Sequence, residues 1–196
     1  DYSYLKTSSY SGMKSTCVDA LAHMIESRLN TNANAFSRAY AEEGMKLWAS
    51  CKGCLESEER FAHMTDDEFS TFMQASVLAG MAIAYTGTSI PHGLSYTLTY
   101  ENGVPHGKAV GVFLSGFLKK YGDSTEVEYV VKQLLGFDDI DAFRDYIRTL
   151  FGKLDMSEKL WKKDRDGILA NPAKLKNYPF GLTADMLDDY VRYYNA

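Results

Sequence analysis

Four residues in this chain have the types and spacing to hold a metal ion. Two lie in a repeated unit, Pro91-His92-Gly93 and Pro105-His106-Gly107, whose imidazoles stand 14 residues apart. The other two, Asp19 and His23, are an acid and a histidine at i, i+4. On a helix such positions project from one face, about one turn apart, so they can share one ion. In each Pro-His-Gly unit, proline restricts the approach of the chain and glycine lets the backbone bend tightly beside a ligand. Three of the four histidines fall in these motifs. The fourth, His63, has no such context and reads as structural or solvated. The central expectation is that Asp19, His23, His92 and His106 converge on one ion. Three neutral imidazoles and one carboxylate suit Zn(II) or Fe(II), with ligand distances of ~2.0–2.2 Å. Each piece alone also has an ordinary reading. Asp19 and His23 form a common helix-surface pair, and either Pro-His-Gly is equally a turn whose imidazole is satisfied by backbone bonds.

The elements that must position these residues read as helices. Leu21, Met24, Ile25 and Leu29 recur at helical spacing and predict a helix from about Ser15 to Leu29. Residues 1–14 read as an irregular entry segment. A second helix is predicted from Phe36 to about Ser50, followed by a polar connection over Glu56–Arg60. Thr65 with Glu68 three residues later is a capping box that starts a third helix, ended by Gly87 and Pro91. Its stretch Val77–Tyr85 is the longest apolar run and reads as buried. Tyr96–Tyr100 alternates like a strand before the hairpin signal Asn102-Gly103, yet no partner strand follows, so it reads as a short helical or irregular connector. This leaves His92 and His106 outside the long helices. Further helices are predicted over Gly107–Lys120, Ser124–Leu135, Phe143–Leu150 and Leu160–Leu169. Pro172 and Pro179 bracket a connector, and Thr183 caps a last helix through Tyr194. The expected fold class is all-α, a helix-packed domain spanning residues 1–196.

The bulk properties narrow the function. The chain has 196 residues, 45% of them hydrophobic, which suits one domain with a real core. Its net charge of −5, with acids and bases mixed, gives no nucleic-acid footprint. No apolar run approaches a membrane span, and no basic-then-apolar leader opens the chain, so a cytoplasmic location is expected. Cys17, Cys51 and Cys54 read as free thiols. The Cys51-Lys-Gly-Cys54 spacing lacks the two further ligands a zinc site requires.

The motifs together resemble a known family. Asp19-Ala-Leu-Ala-His23-Met-Ile-Glu26 looks like the first metal-binding motif of the iron-containing (group III) alcohol dehydrogenases. Ala79-Gly-Met-Ala-Ile-Ala-Tyr-Thr-Gly-Thr-Ser-Ile-Pro-His92-Gly-Leu-Ser-Tyr resembles the family's glycine-rich helix leading into a histidine ligand. Gly103-Val-Pro-His106-Gly-Lys-Ala resembles the last ligand motif, and Asn177-Tyr-Pro-Phe-Gly-Leu-Thr-Ala-Asp the C-terminal segment. The resemblance covers essentially the whole chain and is strongest to butanol-dehydrogenase-like members. It implies the helical C-terminal, dehydroquinate-synthase-like half of such an enzyme, with the metal ligands falling on Asp19, His23, His92 and His106. Many members carry a histidine near the nicotinamide four residues after the third ligand; here that position is Tyr96. The resemblance also implies an N-terminal domain that binds NAD(P), but this chain shows no Gly-x-Gly-x-x-Gly and no alternation of strands with helices.

The expected function is therefore the metal-binding domain of an NAD(P)-dependent dehydrogenase that interconverts small alcohols with aldehydes or ketones, and that is inactive without its nucleotide-binding domain. A metal-dependent hydrolase or lyase and a non-catalytic helical metal-binding module are the alternatives. The alcohol, the choice of NAD or NADP, the native metal and homo-oligomer formation are left open by the sequence.

Overall fold

The computed structural model describes residues 1–196 and contains helices and turns but no strand. A 3-10 turn, Tyr2–Thr7, leads into α1, Tyr10–Arg28. This helix starts five residues earlier than the periodicity suggests. Ser9 supplies the reason: its side chain accepts from the Gly12 N–H and caps the helix. Met13, Val18, Leu21, Met24 and Ile25 on α1 are completely buried. A helix buried on so many sides lies inside the domain rather than on its surface. Next come α2, Ala35–Cys51, and α3, Glu58–Ala62. The short α3, capped by Ser57, occupies the stretch expected to be a plain connection.

Helix α4, Asp66–Thr86, begins with the expected capping box between Thr65 and Glu68. It packs on α1 and α2. The expectation that Val77–Tyr85 is buried is corrected by the structure. Val77, Met81 and Tyr85, spaced four apart along one face, are 55%, 40% and 50% exposed, whereas Ala75, Ala79 and Ala82 are buried. The small residues face inward because α1 and α2 approach closely, and the large ones are pushed out.

The connector expected before His106 is in fact helix α5, Ile90–Asn102. Pro91 sits in its first turn, where the missing N–H is not needed and the fixed φ suits the helix. Asn102-Gly103 is a helix end rather than a hairpin: Gly103 adopts φ 64, ψ 19, the left-handed C-terminal cap that glycine takes without strain. Helix α6, His106–Lys119, then starts directly at His106 and is buried from Ala109 to Leu118. The structure thus corrects the placement of both histidines: they lie in the first turns of two helices.

The remaining elements are α7, Ser124–Glu128, continued by a π-helical turn over Tyr129–Leu134, then α8, Ile140–Phe151, α9, Glu158–Leu169, α10, Pro172–Leu175, and α11, Ala184–Asn195. Helix α6 is the hub, contacted by α1, α5, α8 and α11. One close approach fixes where it begins. A Cβ on Gly107 would lie 1.7 Å from the Ser15 carbonyl oxygen, so only glycine lets α6 start against α1. The Gly107 N–H donates to Ser15 Oγ at 3.1 Å, one turn before Asp19. This contact sets His106 beside Asp19.

Candidate metal centre

Helix α1 presents Asp19, His23 and Glu26 at i, i+4 and i+7, which is one stripe of a helix. The stripe faces the first turns of α5 and α6. Asp19 Oδ1 lies 3.2 Å from His92 Nε2, 3.6 Å from His106 Nε2 and 3.9 Å from His23 Nε2. One carboxylate oxygen is therefore faced by three imidazole nitrogens. Asp19, His92 and His106 form the tightest set, with one ligand atom each inside a 4.8 Å group. His23 lies outside that set and stacks on His92, ring centres 4.5 Å apart and planes 12° apart. His92 is buried, with its side chain 3% exposed, while those of His23, Asp19 and His106 are 21%, 26% and 39% exposed. The cluster is closed behind His92 and open beside His106.

Glu26 is the residue that sequence reasoning did not single out. It is fully buried. Its Oε1 accepts the His92 backbone N–H at 3.1 Å, and Oε2 accepts from His92 Nδ1. With Nδ1 held by Glu26, Nε2 is the nitrogen turned to Asp19. The signal was available: Glu26 continues the Asp19–His23 stripe by one turn.

These contacts decide whether a cation fits. If Nδ1 carries the proton given to Glu26, the lone pair of Nε2 points at a lone pair of Asp19 Oδ1. That arrangement is repulsive unless a proton or a metal ion lies between them. The charges around the cluster act in the same direction. Burial opposes charge on His92, but Glu26 and Asp19 outweigh it and push the imidazole up to about 10. Burial would raise Asp19, but the hydrogen bond from His92 and the charges of His23, His92 and His106 hold it below the usual carboxylate range. His23 is lowered, chiefly by burial and then by the charge of His92. The pocket favours one positive charge. Two ligand atoms ~2.1 Å from one tetrahedral ion stand ~3.4 Å apart. The three nitrogen–oxygen distances, 3.2, 3.6 and 3.9 Å, bracket that value. The donor set fits a divalent ion such as zinc or iron.

Other candidates stay apart. His63 is exposed, and its Nδ1 meets the Glu59 carbonyl at 2.8 Å. All three cysteines are free and buried. Tyr96, one turn beyond His92 on α5, is 49% exposed, and its ring lies parallel to His106 with centres 6.2 Å apart.

The structure thus brings one acid and three histidines to the junction of α1, α5 and α6. The C-terminal family description of the Fe-containing alcohol dehydrogenases matches residues 13–166, so the chain belongs to the Fe-containing alcohol dehydrogenase family. The chain is 24% identical to a 4-hydroxybutyrate dehydrogenase of Clostridium kluyveri, over 97% of this chain and 55% of the relative. Its fold is similar to an iron-containing alcohol dehydrogenase of Thermotoga maritima, with TM-score 0.84 and 30% identity, over 100% of this chain and 52% of that one. It is also similar to a sulfoacetaldehyde reductase of Bifidobacterium kashiwanohense solved in complex with NAD+, with TM-score 0.80 and 25% identity, over 100% of this chain and 53% of that one. The chain thus spans about half the length of these relatives. No helix is long and apolar enough to cross a membrane.

Proposed function

We propose that this chain is the metal-binding part of an NAD(P)-dependent dehydrogenase that interconverts alcohols with aldehydes or ketones. The observation that carries the reading is the single Asp19 oxygen faced by three imidazole nitrogens. Asp19, His23, His92 and His106 would hold one Fe(II) or Zn(II). The ion would supply Lewis-acid polarisation of a substrate oxygen. Glu26 fixes the ring of His92 and presents Nε2 as the ligand atom. Burial of His92 and Glu26 keeps water from the back of the site. The partly exposed His106 and Tyr96 mark the side from which a substrate would approach. One carboxylate among the four ligands leaves the site net positive toward a developing alkoxide.

Hydride transfer also needs a nicotinamide held against the substrate carbon. Nothing in residues 1–196 resembles the glycine-rich turn that anchors a dinucleotide. The proposed organisation is therefore one helical domain, residues 1–196, acting beside a separate NAD(P)-binding domain. The exposed stripe Val77, Met81, Tyr85 supports a covering partner. The test is NAD(P)H absorbance with a short alcohol and metal-loaded protein. Residues 1–196 alone should give no turnover, joining them to the nucleotide-binding domain should give activity, and Asp19→Ala should abolish it. Robust metal-dependent turnover by residues 1–196 alone would overturn the two-domain part of the reading.

A further inference from the structure

Helix α9 lies along α5, and its footing there is thin. Of its 12 residues only Asp164 and Ile168 are buried. Both meet α5. Asp164 Oδ1 accepts from the Thr97 hydroxyl at 2.9 Å. One turn on, Ile168 seats on Gly93, where a Cβ would lie 2.3 Å from Ile168 Cδ1. Only glycine lets α9 come this close, and Gly93 directly follows the proposed ligand His92. At the surface, Lys163 pairs with Glu101. Gly93, Thr97 and Glu101, four apart, form one stripe of α5, and Ile168, Asp164 and Lys163 meet them in reverse order.

An acid is a poor anchor in such a seat. Asp164 Oδ2 is buried and has no hydrogen-bond partner. A neutral carboxyl tolerates that environment far better than a carboxylate, which loses its water and gains no counter-charge. The groups packed around α9 do not supply one. On α5, Thr97 offers a single hydroxyl, and Glu101 is itself an acid that occupies Lys163. On α11, Asp188 is held by Arg165 and by the Trp161 indole. On α10, Lys174 is turned to the hydroxyls of Thr88 and Tyr96. The contact with α6 is aromatic, Trp161 stacking on Phe113. Burial, opposed by the Thr97 bond and reinforced by Glu101, pushes Asp164 up to about 7. The docked acid thus titrates above its ordinary value of 3.8. Docking is fully supported below pH ~4 and loses that support as pH rises to ~7.

We propose that α9 is a pH-released strap: with Asp164 protonated it covers the turn of α5 that carries His92, and ionisation of Asp164 lifts it from that turn. The proton passes to solvent. Off α5, the helix keeps neither of its buried contacts, and a helix of this length holds its own backbone bonds only marginally in water. The opening is therefore local and precedes unfolding of the domain around α6. In the docked form Ile168 backs the chain beside His92, and in the released form that support is gone.

The experiment is amide hydrogen exchange on the metal-free chain between pH 5 and pH 7.5, corrected for the intrinsic pH dependence of exchange. Read without metal, it stands apart from the metal-site proposal. Protection of residues 162–169 should fall at least roughly tenfold across that range, as linkage to one acid titrating there requires. At pH 7.5 these amides should exchange at least roughly tenfold faster than those of α6 and respond little to low urea, because a local opening exposes little surface. Asp164→Asn and Asp164→Leu, which carry no charge in this seat, should each hold the protection level with pH. Protection of α9 that does not change with pH, or a fall that survives in either variant, overturns the inference. So does exchange of α9 at the rate and with the urea dependence of α6, which would mean that the domain opens as a whole.

Discussion

Glu26 on α1 and Asp164 on α9 are carboxylates packed out of water, 0% and 3% exposed, and each presses on α5. Glu26 has both oxygens engaged by His92, one through the ring and one through the backbone N–H. Asp164 has one oxygen engaged, by the Thr97 hydroxyl at 2.9 Å, and its Oδ2 has no partner. Burial, reinforced by Glu101 and only partly offset by the Thr97 bond, pushes Asp164 up to about 7. A buried carboxylate is thus either compensated by a group that can carry positive charge or driven toward its neutral form. The first case lies behind the proposed metal centre. The second stores a pH-dependent weakness in the same helix layer.

Removing the compensated carboxylate gives the largest expected effect. Glu26→Ala leaves the His92 ring nitrogen and backbone N–H buried without partners. It should destabilise the metal-free chain by ~3–5 kcal/mol, the cost of breaking a buried pair, read by urea denaturation. A loss below ~1 kcal/mol would show that Glu26 is not the group that holds His92.

The uncompensated carboxylate should behave in the opposite way. Its folded pKa lies above its unfolded value of 3.8. Its stabilising contribution is therefore complete below pH ~4 and is lost as pH rises to ~7. Three pKa units set an upper bound of ~4 kcal/mol on that loss. Asp164→Asn should remove the decline, so the variant gains on the parent between pH 5 and pH 8. Parallel stability curves across that range would break the contrast.

A gentler change sharpens the first case. Glu26→Gln keeps the shape but removes the charge that orients the ligand nitrogen. Metal affinity should fall roughly 10–100-fold, the usual cost of losing a carboxylate behind a histidine ligand, measured by competition with a chelator. The smallest effect concerns Thr97→Val, which removes the one partner of Asp164. A stability loss of ~1 kcal/mol is expected at pH 8 and less at pH 5, where the acid is neutral.

Much of this organisation was legible in the residue order, and the exceptions have physical causes. Helical periodicity marked α1, α2, α4, α6 and α8, and the Thr65–Glu68 box gave the start of α4 as observed. The Asp19–His23 pair was readable because a four-residue spacing has one meaning on a helix. His92 and His106 do lie beside Asp19, but the sequence placed them outside helices. Proline and glycine flank each of them, and those residues mark turns as readily as helix starts. Glu26 continues the Asp19–His23 stripe but was not read as a partner, because glutamate on a helix is most often solvated and only the packing of α5 on α1 buries it. Asp164 sits in the charged run Lys162-Lys163-Asp164-Arg165-Asp166, which reads as a solvated face. The exposed stripe of α4 was misread because periodicity reports which residues are apolar and not which face has a partner.

The central claim is that Asp19, His23, His92 and His106 hold one metal ion. The most direct measurement is metal content after anaerobic reconstitution with Fe(II) or Zn(II) and buffer exchange. The parent chain should retain about one equivalent, as a single four-ligand site requires. His92→Ala and His106→Ala should each lose most of it while keeping a helical circular dichroism spectrum. Metal retained at parental affinity by both variants would contradict the account.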